Sequence, residues 1–306
     1  MIASAIDVRS ALKEGMARLR AAQVPSHTLA AEVLLQHALG RERTWVYTHG
    51  EARMDPADWE KFAALIARRA AGEPTQYLTG RQEFWGLDFE VTPAVLIPRP
   101  ETEHVVEVAL ERLGLRGIKI ERSAGAPSPA LQVADVGTGS GCLAVALAHE
   151  LPHAVISATD ISAAALQVAR RNAARHGVLN RIDFLQTDLL AELLPEHRTP
   201  DHKSHLFDLI VSNPPYVGCV DIGSLGREVR DHEPETALLG GETGVEVYAR
   251  LTEQAARLLA PGGIFVVELG YGAQDRVRRM LQADWARIGI TNDLAGIPRV
   301  LAAERD

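Results

Sequence analysis

Apolar residues recur at helical spacing in the first part of the chain and gather into short strand-length runs in the last part. The sequence therefore predicts two differently built regions. Helical spacing runs over about 6 to 22 and 27 to 39. In "DPADWEKFAALIARRAAG", Asp55 reads as an N-cap, Pro56 as the first helical residue and Gly72 as the stop. Trp59, Phe62, Leu65 and Ile66 then fall on one face, which is the pattern of a small helical core. From Phe84 to Ile97, "FWGLDFEVTPAVLI" is extended, aromatic and β-branched with Thr-Pro in its middle, and reads as a hairpin between two domains. The expected division is a helical domain over 1–80, a hairpin linker over 81–100 and a larger domain over 101–306.

A helix over about 101 to 113 is expected next, then a loop over "RSAGAPSPA", Arg122 to Ala130. From Leu131 the pattern alternates. Strands are predicted near 131–136, 154–159, 182–186, 207–212 and 263–269, and helices near 141–150, 162–176, 245–260 and 272–283. Such alternation predicts an α/β fold with a parallel sheet covered on both faces. The tail adds strands near 286–292 and 298–303, whose short connection favours an antiparallel pair.

At 306 residues, 46% hydrophobic and 24% charged, the composition is that of a globular protein able to bury two cores. No run reaches the roughly 18 apolar residues of a membrane span, and the N-terminus carries charges throughout. A soluble, cytoplasmic monomer is expected. Cys142 and Cys219 lie far apart and form neither a disulfide framework nor a metal cage, so no metal is expected. The net charge of −8 argues against a broad nucleic-acid surface.

In a doubly wound sheet, ligands bind beyond the carboxyl ends of the strands. Four strand ends stand out. "VADVGTGSGCL" places Gly137, Thr138, Gly139, Ser140 and Gly141 where the backbone can turn sharply against a nucleotide-like ligand. Cys142 stands where a dinucleotide-binding loop has its third glycine, which tilts the reading away from NAD. Asp160, ending the second strand, can accept hydrogen bonds from both hydroxyls of a ribose; as a helix cap it competes with Ser162. After the third, Asp188 can accept from an adenine amine while Leu189 packs on the ring. The fourth runs "DLIVSNPPYVG", where Pro214 and Pro215 stop the ladder beside Asn213 and Tyr216.

The order "ADVGTGSG", Asp160, "VSNPPY" resembles the seven-stranded class I S-adenosyl-L-methionine-dependent methyltransferases, and NPPY those acting on a planar amide or amino nitrogen. "EPTQYLTGRQEFWGLDFEV", "LIPRPETE" and "EVRDHEPETALLGGETG" look like the PrmC/HemK family of protein-glutamine methyltransferases. That resemblance implies methylation of the glutamine in the GGQ loop of peptide chain release factors. It also implies that Asn213, Pro214, Pro215 and Tyr216 hold the substrate amide, while Gly137 to Gly141, Asp160, Asp188, Leu189 and Asn213 hold the donor. The alternatives are an N6-adenine DNA or RNA methyltransferase, which would need a nucleic-acid-recognition domain, and a donor-binding module without catalysis, which has no use for NPPY.

An amide nitrogen is a poor nucleophile because its lone pair is delocalised. If Asn213 Oδ1 and the Pro214 carbonyl each accept one N–H, the nitrogen is fixed with its π face toward the methyl group, and Tyr216 can cover the amide. None of these groups titrates near neutrality, so turnover is expected to be flat over about pH 6.5 to 9. Other residues remain minor. Cys219 is expected to be a small buried residue, and "RDHEP", Arg230 to Pro234, has no metal-ligand spacing. Arg99 is ambiguous between pocket lining and a hairpin exit stiffened by Pro98 and Pro100. The polar stretch Leu190 to Phe207 is expected to be a surface loop.

Overall fold

Asp55 and Pro56 start a helix as their types require: the Asp55 side chain accepts a hydrogen bond from the Ala57 N–H and Pro56 opens the first turn. The computed structural model describes residues 6–115, 130–197, 206–281 and 284–306. The chain divides into two compact units, residues 1–81 with 226–232, and residues 82–225 with 233–306.

The first unit holds helices α1 (Val8–Ala21), α2 (His27–Leu39), α3 (Arg43–Thr48), α4 (Pro56–Ala70) and α5 (Thr75–Thr79). Phe62, Leu65 and Ile66 are buried with Leu19, Leu34 and Leu35 in one cluster, with Trp59 at its edge. Each such side chain contributes roughly 1.5 to 3 kcal/mol by leaving water. A Cβ on Gly15 would lie 2.6 Å from Phe62 Cζ, so the glycine is what lets α1 approach α4. The short α3 and α5 were not legible as separate helices.

The hairpin opens at the unit boundary, with β1 (Arg81–Phe84) and β2 (Leu87–Glu90). Its turn is Trp85-Gly86, with φ of 56° and 71°. Positive φ at both central residues matches the twist of two antiparallel strands, so the reversal sits there, ahead of Thr92-Pro93. Beyond β2 the chain is irregular up to a 3-10 turn over Pro100–Thr102.

The second unit continues with α6 (Glu103–Leu115), β3 (Gln132–Val136), α7 (Cys142–Glu150), β4 (Val155–Asp160), α8 (Ala163–Arg175), β5 (Ile182–Gln186), β6 (Phe207–Ser212) and β7 (Val217–Gly218). Then follow α9 (Arg227–His232), which counts with the first unit, α10 (Glu235–Leu238), β8 (Leu239–Gly241), α11 (Glu246–Leu258), β9 (Leu259–Glu268), α12 (Gln274–Met280), β10 (Trp285–Asn292) and β11 (Pro298–Arg305). Within the first unit, Arg69 of α4 donates to Glu228 of α9 at 2.5 Å.

Seven strands form one sheet in the order β10-β11-β9-β6-β3-β4-β5. The expected antiparallel tail is present: β10 pairs with β11 and β11 with β9, both antiparallel, while the ladders from β9 to β5 are parallel. One face packs on α6, α7 and α8 through residues such as Val105, Leu147 and Ile156, and the other buries Tyr248, Leu251 and Phe265. The order of strands reverses at β3, where β4 lies on one side and β6 on the other, so a crevice opens there at the carboxyl ends.

The loop expected over 122–130 lies outside the described residues up to 129. So do residues 198–205 of the polar stretch and 282–283 of the last predicted helix. Among the described residues of that stretch Glu192, Pro195, Glu196, His197 and Leu206 are exposed, as a surface loop requires, while Leu190, Leu194 and Phe207 are buried in the core. Their apolar side chains anchor what the polar centre of the stretch concealed.

Asn172 ties the hairpin to the glycine loop. Its Oδ1 accepts the Glu90 N–H at 2.7 Å, and its Nδ2 donates to the Glu90 carbonyl at 3.0 Å and the Ser140 carbonyl at 2.8 Å. The side chain is fully buried, so Asn172→Ala would strand backbone groups away from water. A loss of about 2 to 4 kcal/mol is expected, read as a lower denaturant midpoint; an unchanged midpoint would show that water replaces the amide.

Candidate active site

Where β3 ends the chain turns through Gly137, Gly139 and Gly141, all in the left-handed region at φ 71°, 54° and 82°. The two ends of this loop use glycine differently. A Cβ on Gly141 would lie 3.1 Å from Ala169 Cβ, so that glycine is required for packing against α8. A Cβ on Gly137 would meet nothing within 4 Å, so that glycine leaves open space beside the backbone. The Gly137 and Thr138 N–H groups both donate to the Thr159 carbonyl at 2.9 Å.

Asp135 braces the loop from below. Its Oδ2 accepts the Thr138 hydroxyl at 2.6 Å and the Ala144 N–H at 3.0 Å. Full burial pushes this carboxyl up to about 7, partly offset by those two hydrogen bonds. Burial likewise pushes the Cys142 thiol up to about 12, which keeps it protonated and un-nucleophilic.

Asp160 ends β4 with each carboxylate oxygen already holding one backbone donor. Oδ2 accepts the Gly139 N–H at 2.9 Å and Oδ1 the Ser162 N–H at 2.8 Å. The helix cap of α8 is Ser162, whose hydroxyl accepts from the Ala165 N–H. Asp160 is therefore free of capping duty and retains one lone pair on each oxygen. Burial raises its carboxyl above the ordinary value.

After β5, Asp188 pairs with Arg250 of α11, a partner that sequence spacing did not indicate. Leu189 holds φ at 54°, an uncommon conformation for a branched residue, and Leu190 continues into the core with its N–H donating to Gln254 Oε1 at 2.8 Å. The buried Leu190 fixes the path that sets Leu189 against the crevice.

After β6, Asn213 Nδ2 donates to Thr102 Oγ1 at 3.0 Å, and Thr102 Oγ1 donates to Glu268 Oε2 at 2.7 Å. Asn213 Oδ1 has no partner among the described residues. Tyr216 Oη reaches Glu268 Oε1 at 3.4 Å, and Tyr248 Oη donates to the Glu268 carbonyl at 2.9 Å. Burial pushes the Glu268 carboxyl up to about 7, against the lowering effect of the Thr102 hydrogen bond and nearby Arg299. Asp135 and Glu268 thus hold protons more tightly when folded. The stability they contribute is full below the unfolded carboxylate values of 3.8 and 4.5 and is lost as pH rises through about 7.

The NPPY segment is packed close against β8 and the end of β9. A Cβ on Gly240 would lie 2.6 Å from the Pro215 carbonyl, and one on Gly270 2.9 Å from Tyr216 Cδ2. "LLGGETG" therefore supplies a bare surface against which the backbone of Pro215 and Tyr216 is held.

These strand ends surround one cavity of about 440 Å³. Gly137 to Ser140, Asp160, Asp188, Leu189, Asn213 and Pro215 line it, together with Ala94 to Leu96 and Pro98 of the hairpin exit, Thr102 and Arg250. Gly141, Pro214 and Tyr216 are not on its wall; the Tyr216 ring lies against Gly270 and the core beneath β9. Arg99 forms an ion pair with the buried Glu233, whose carboxylate also accepts the Ile97 N–H at 3.3 Å. The hairpin exit is thereby pinned by charge as well as by prolines. Cys219 is exposed, contrary to the buried position expected, because β7 ends one residue earlier and the chain turns outward.

Sequence reasoning missed Thr102, Glu233, Arg250 and Glu268. Glu268 had a signal: a single acid ending the apolar run "GIFVVELG", at a strand end on the side where ligands bind. Arg250 had none, being one of many exposed basic residues on a helix.

Residues 10–80 match the PrmC N-terminal domain family and residues 125–224 the methyltransferase small domain family. The release factor glutamine methyltransferase of Koribacter versatilis is 42% identical over 298 residues, covering 97% of this chain and 98% of the relative. That of Moorella thermoacetica is 42% identical over 300 residues, covering 97% and 98%. Among solved structures, the human Mettl16 catalytic domain superposes with a TM-score of 0.51 at 16% identity, covering 78% of this chain and 81% of that one. The Thermus thermophilus 16S rRNA methyltransferase RsmC, in complex with AdoMet and guanosine, gives 0.50 at 20% identity, covering 74% of this chain and 50% of that one. At those identities the two structures speak to the fold alone.

Proposed function

The chain belongs to the release factor glutamine methyltransferases, with the seven-stranded class I methyltransferase fold, and on that premise we propose how its residues carry out the reaction. The methyl acceptor is the side-chain nitrogen of the glutamine in the GGQ loop of a release factor, and the donor is S-adenosylmethionine. The observation that carries this reading is the convergence on one cavity of the bare glycine turn, the Asp160 and Asp188 carboxylates, and an Asn213 whose Oδ1 is uncommitted.

The residues present fit the donor. Asp160 keeps one free lone pair on each oxygen for two ribose hydroxyls, and Asp188 with Leu189 offers an acceptor beside an apolar surface for the base. Gly137 leaves the backbone open to close approach. S-adenosylmethionine, when bound, supplies a methyl group on a sulfonium, an electrophile strong enough for a weak nucleophile.

The protein's part is positioning. Asn213 Oδ1, on the cavity wall, accepts one N–H of the glutamine amide, and the Pro214 carbonyl, set behind the wall between Asn213 and Pro215, accepts the other, which fixes the amide plane and leaves its nitrogen π face toward the methyl group. As the nitrogen pyramidalises its N–H bonds become more acidic, so both acceptors bind the transition state better than the ground state. The proton is shed after transfer, when the nitrogen is cationic, and no strong base is required. Tyr216 supports this corner from behind, through Glu268 and Gly270, while Pro215 forms wall.

Residues 1–80 recognise the protein substrate, the hairpin over 81–100 links them to the catalytic part, and the enzyme works as a cytoplasmic monomer without contacting nucleic acid. Transfer of a labelled methyl group to a purified release factor, absent with a glutamine-substituted GGQ loop and absent with duplex DNA, is the expected result. Labelling of the DNA instead would overturn the substrate assignment. A fragment starting at Gln82 retains every donor-site residue and is expected to bind S-adenosylmethionine while methylating a release factor poorly. Undiminished methylation by a folded fragment would remove the recognition role from the helical domain.

A further inference from the structure

Beneath the NPPY corner lies a chain of three side chains drawn from distant parts of the sequence. We propose that Glu268, through Thr102, is a positioning residue that sets which end of the Asn213 carboxamide faces the substrate. The inference rests on the reading above and deepens it, since that reading needs the oxygen of Asn213, and not its NH2 group, in the cavity.

The argument is one of donors and acceptors. An ionised Glu268 can only accept, so the single proton of the Thr102 hydroxyl is committed to Oε2, at 2.7 Å. The Thr102 oxygen can then only accept. Asn213 must therefore turn its Nδ2 toward Thr102, at 3.0 Å, and its Oδ1 is left for the substrate. Thr102 is 2% exposed and Glu268 1% exposed, so water does not compete for either bond. A carboxamide without this constraint can rotate by half a turn at little cost, and the flipped form would present its NH2 donors to the glutamine N–H that needs an acceptor there.

Glu268 has a second contact at the same corner, the Tyr216 hydroxyl at 3.4 Å. Its other neighbours are accounted for by their chemistry. Tyr248 of α11 donates to its backbone carbonyl, Arg299 of β11 favours the ionised form, and Glu101 of the 3-10 turn opposes it. Arg299 is itself held by Asp293 at 2.9 Å. The carboxylate therefore has no ion-pair partner of its own among the described residues, and its one strong commitment is to Thr102.

Protonation would lift the constraint on the polarity of the chain. A neutral Glu268 can donate to Thr102, which frees the Thr102 proton to donate to Asn213 and turns Nδ2 into the cavity. Because burial holds this carboxyl up to about 7, the productive orientation is complete above that pH and is lost as pH falls through it. The flat profile expected from the sequence thus acquires an acid limb.

The test compares wild type with Glu268→Gln, Thr102→Val and Thr102→Ser in the release-factor assay between pH 6 and 9. A Gln at 268 can donate or accept and no longer dictates the direction of the chain. Glu268→Gln is expected to lower kcat about 10- to 100-fold at pH 8, less than outright loss of the acceptor, with donor Kd unchanged. It should also abolish the acid limb near pH 7 that wild type shows. Thr102→Val should fall comparably and Thr102→Ser should recover most of the activity, since it restores the hydroxyl. The double variant Glu268→Gln with Thr102→Val should be no worse than either alone, as both break one chain. Full activity in Glu268→Gln, an unchanged acid limb, or a Thr102→Ser as weak as Thr102→Val would overturn the proposal. The Asn213 side-chain amide resonances, followed by NMR in the free protein from pH 6 to 9, give a readout independent of turnover. They should shift through about pH 7 in wild type and not in Glu268→Gln. If wild type methylates no release factor, the substrate reading fails by itself, and these resonances still decide whether the chain orients Asn213.

Discussion

Asn213→Ala is expected to lower the turnover number about 10² to 10³-fold, by analogy with removing one preorganised hydrogen bond to a transition state in a dry site. Two losses combine. The substrate amide loses the acceptor for one N–H, and its plane is no longer fixed relative to the methyl group. Donor affinity should change far less, since Asp160, Asp188 and the glycine turn remain in place. Single-turnover methylation of a release factor checks this, and a variant within a few fold of wild type would remove Asn213 from the chemistry. Asn213→Asp separates acceptor from base. The introduced carboxylate would face a Thr102 oxygen whose only proton is already given to Glu268, so it lacks a donor on that side. It is expected to exceed the alanine variant chiefly toward acid pH, where the introduced group carries a proton to give to Thr102. An activity that rises with pH instead would indicate a base at this position.

Asp160→Ala is expected to weaken S-adenosylmethionine binding by tens- to hundreds-fold, because charge-assisted hydrogen bonds contribute roughly 1.5 to 3 kcal/mol each. The structure adds a second loss, that of the Gly139 and Ser162 N–H partners. The variant should therefore also unfold at a lower temperature, while kcat at saturating donor suffers less than kcat/KM. Calorimetric titration and thermal melts report the two effects separately. An unchanged Kd with a lowered melting temperature would leave Asp160 as a brace of the glycine turn alone.

The two effects differ in how far the sequence could foresee them. Asp160 was legible because it ends an apolar run and is followed by Ser162, a better cap, so both its place and its freedom were local facts. The Gly137 to Gly141 turn was legible for the same reason: no other residue adopts three left-handed conformations so close together at comparable cost. Asn213 was legible as a residue, through the two prolines that end its strand, but its orientation was not. The helical core around Phe62 followed from spacing and caps. The hairpin followed in kind, but its turn at Trp85-Gly86 did not, because positive φ at a tryptophan is imposed by strand pairing and has no local preference behind it.

By itself, then, the sequence determined the pieces whose energetics are settled within a few residues. These are the helices and their caps, the apolar strands, the antiparallel tail and the order of motifs along the sheet. Tertiary structure alone decided how the polar groups of those pieces are partnered. Thr102 meets Glu268 across 166 residues and Asn213 across 111, and Arg250 meets Asp188 across 62. No periodicity or propensity reaches that far. For Thr102 and Glu268, hydrogen-bond polarity is set by the donor and acceptor that folding brings within 3 Å of each other, in a place from which water has been excluded.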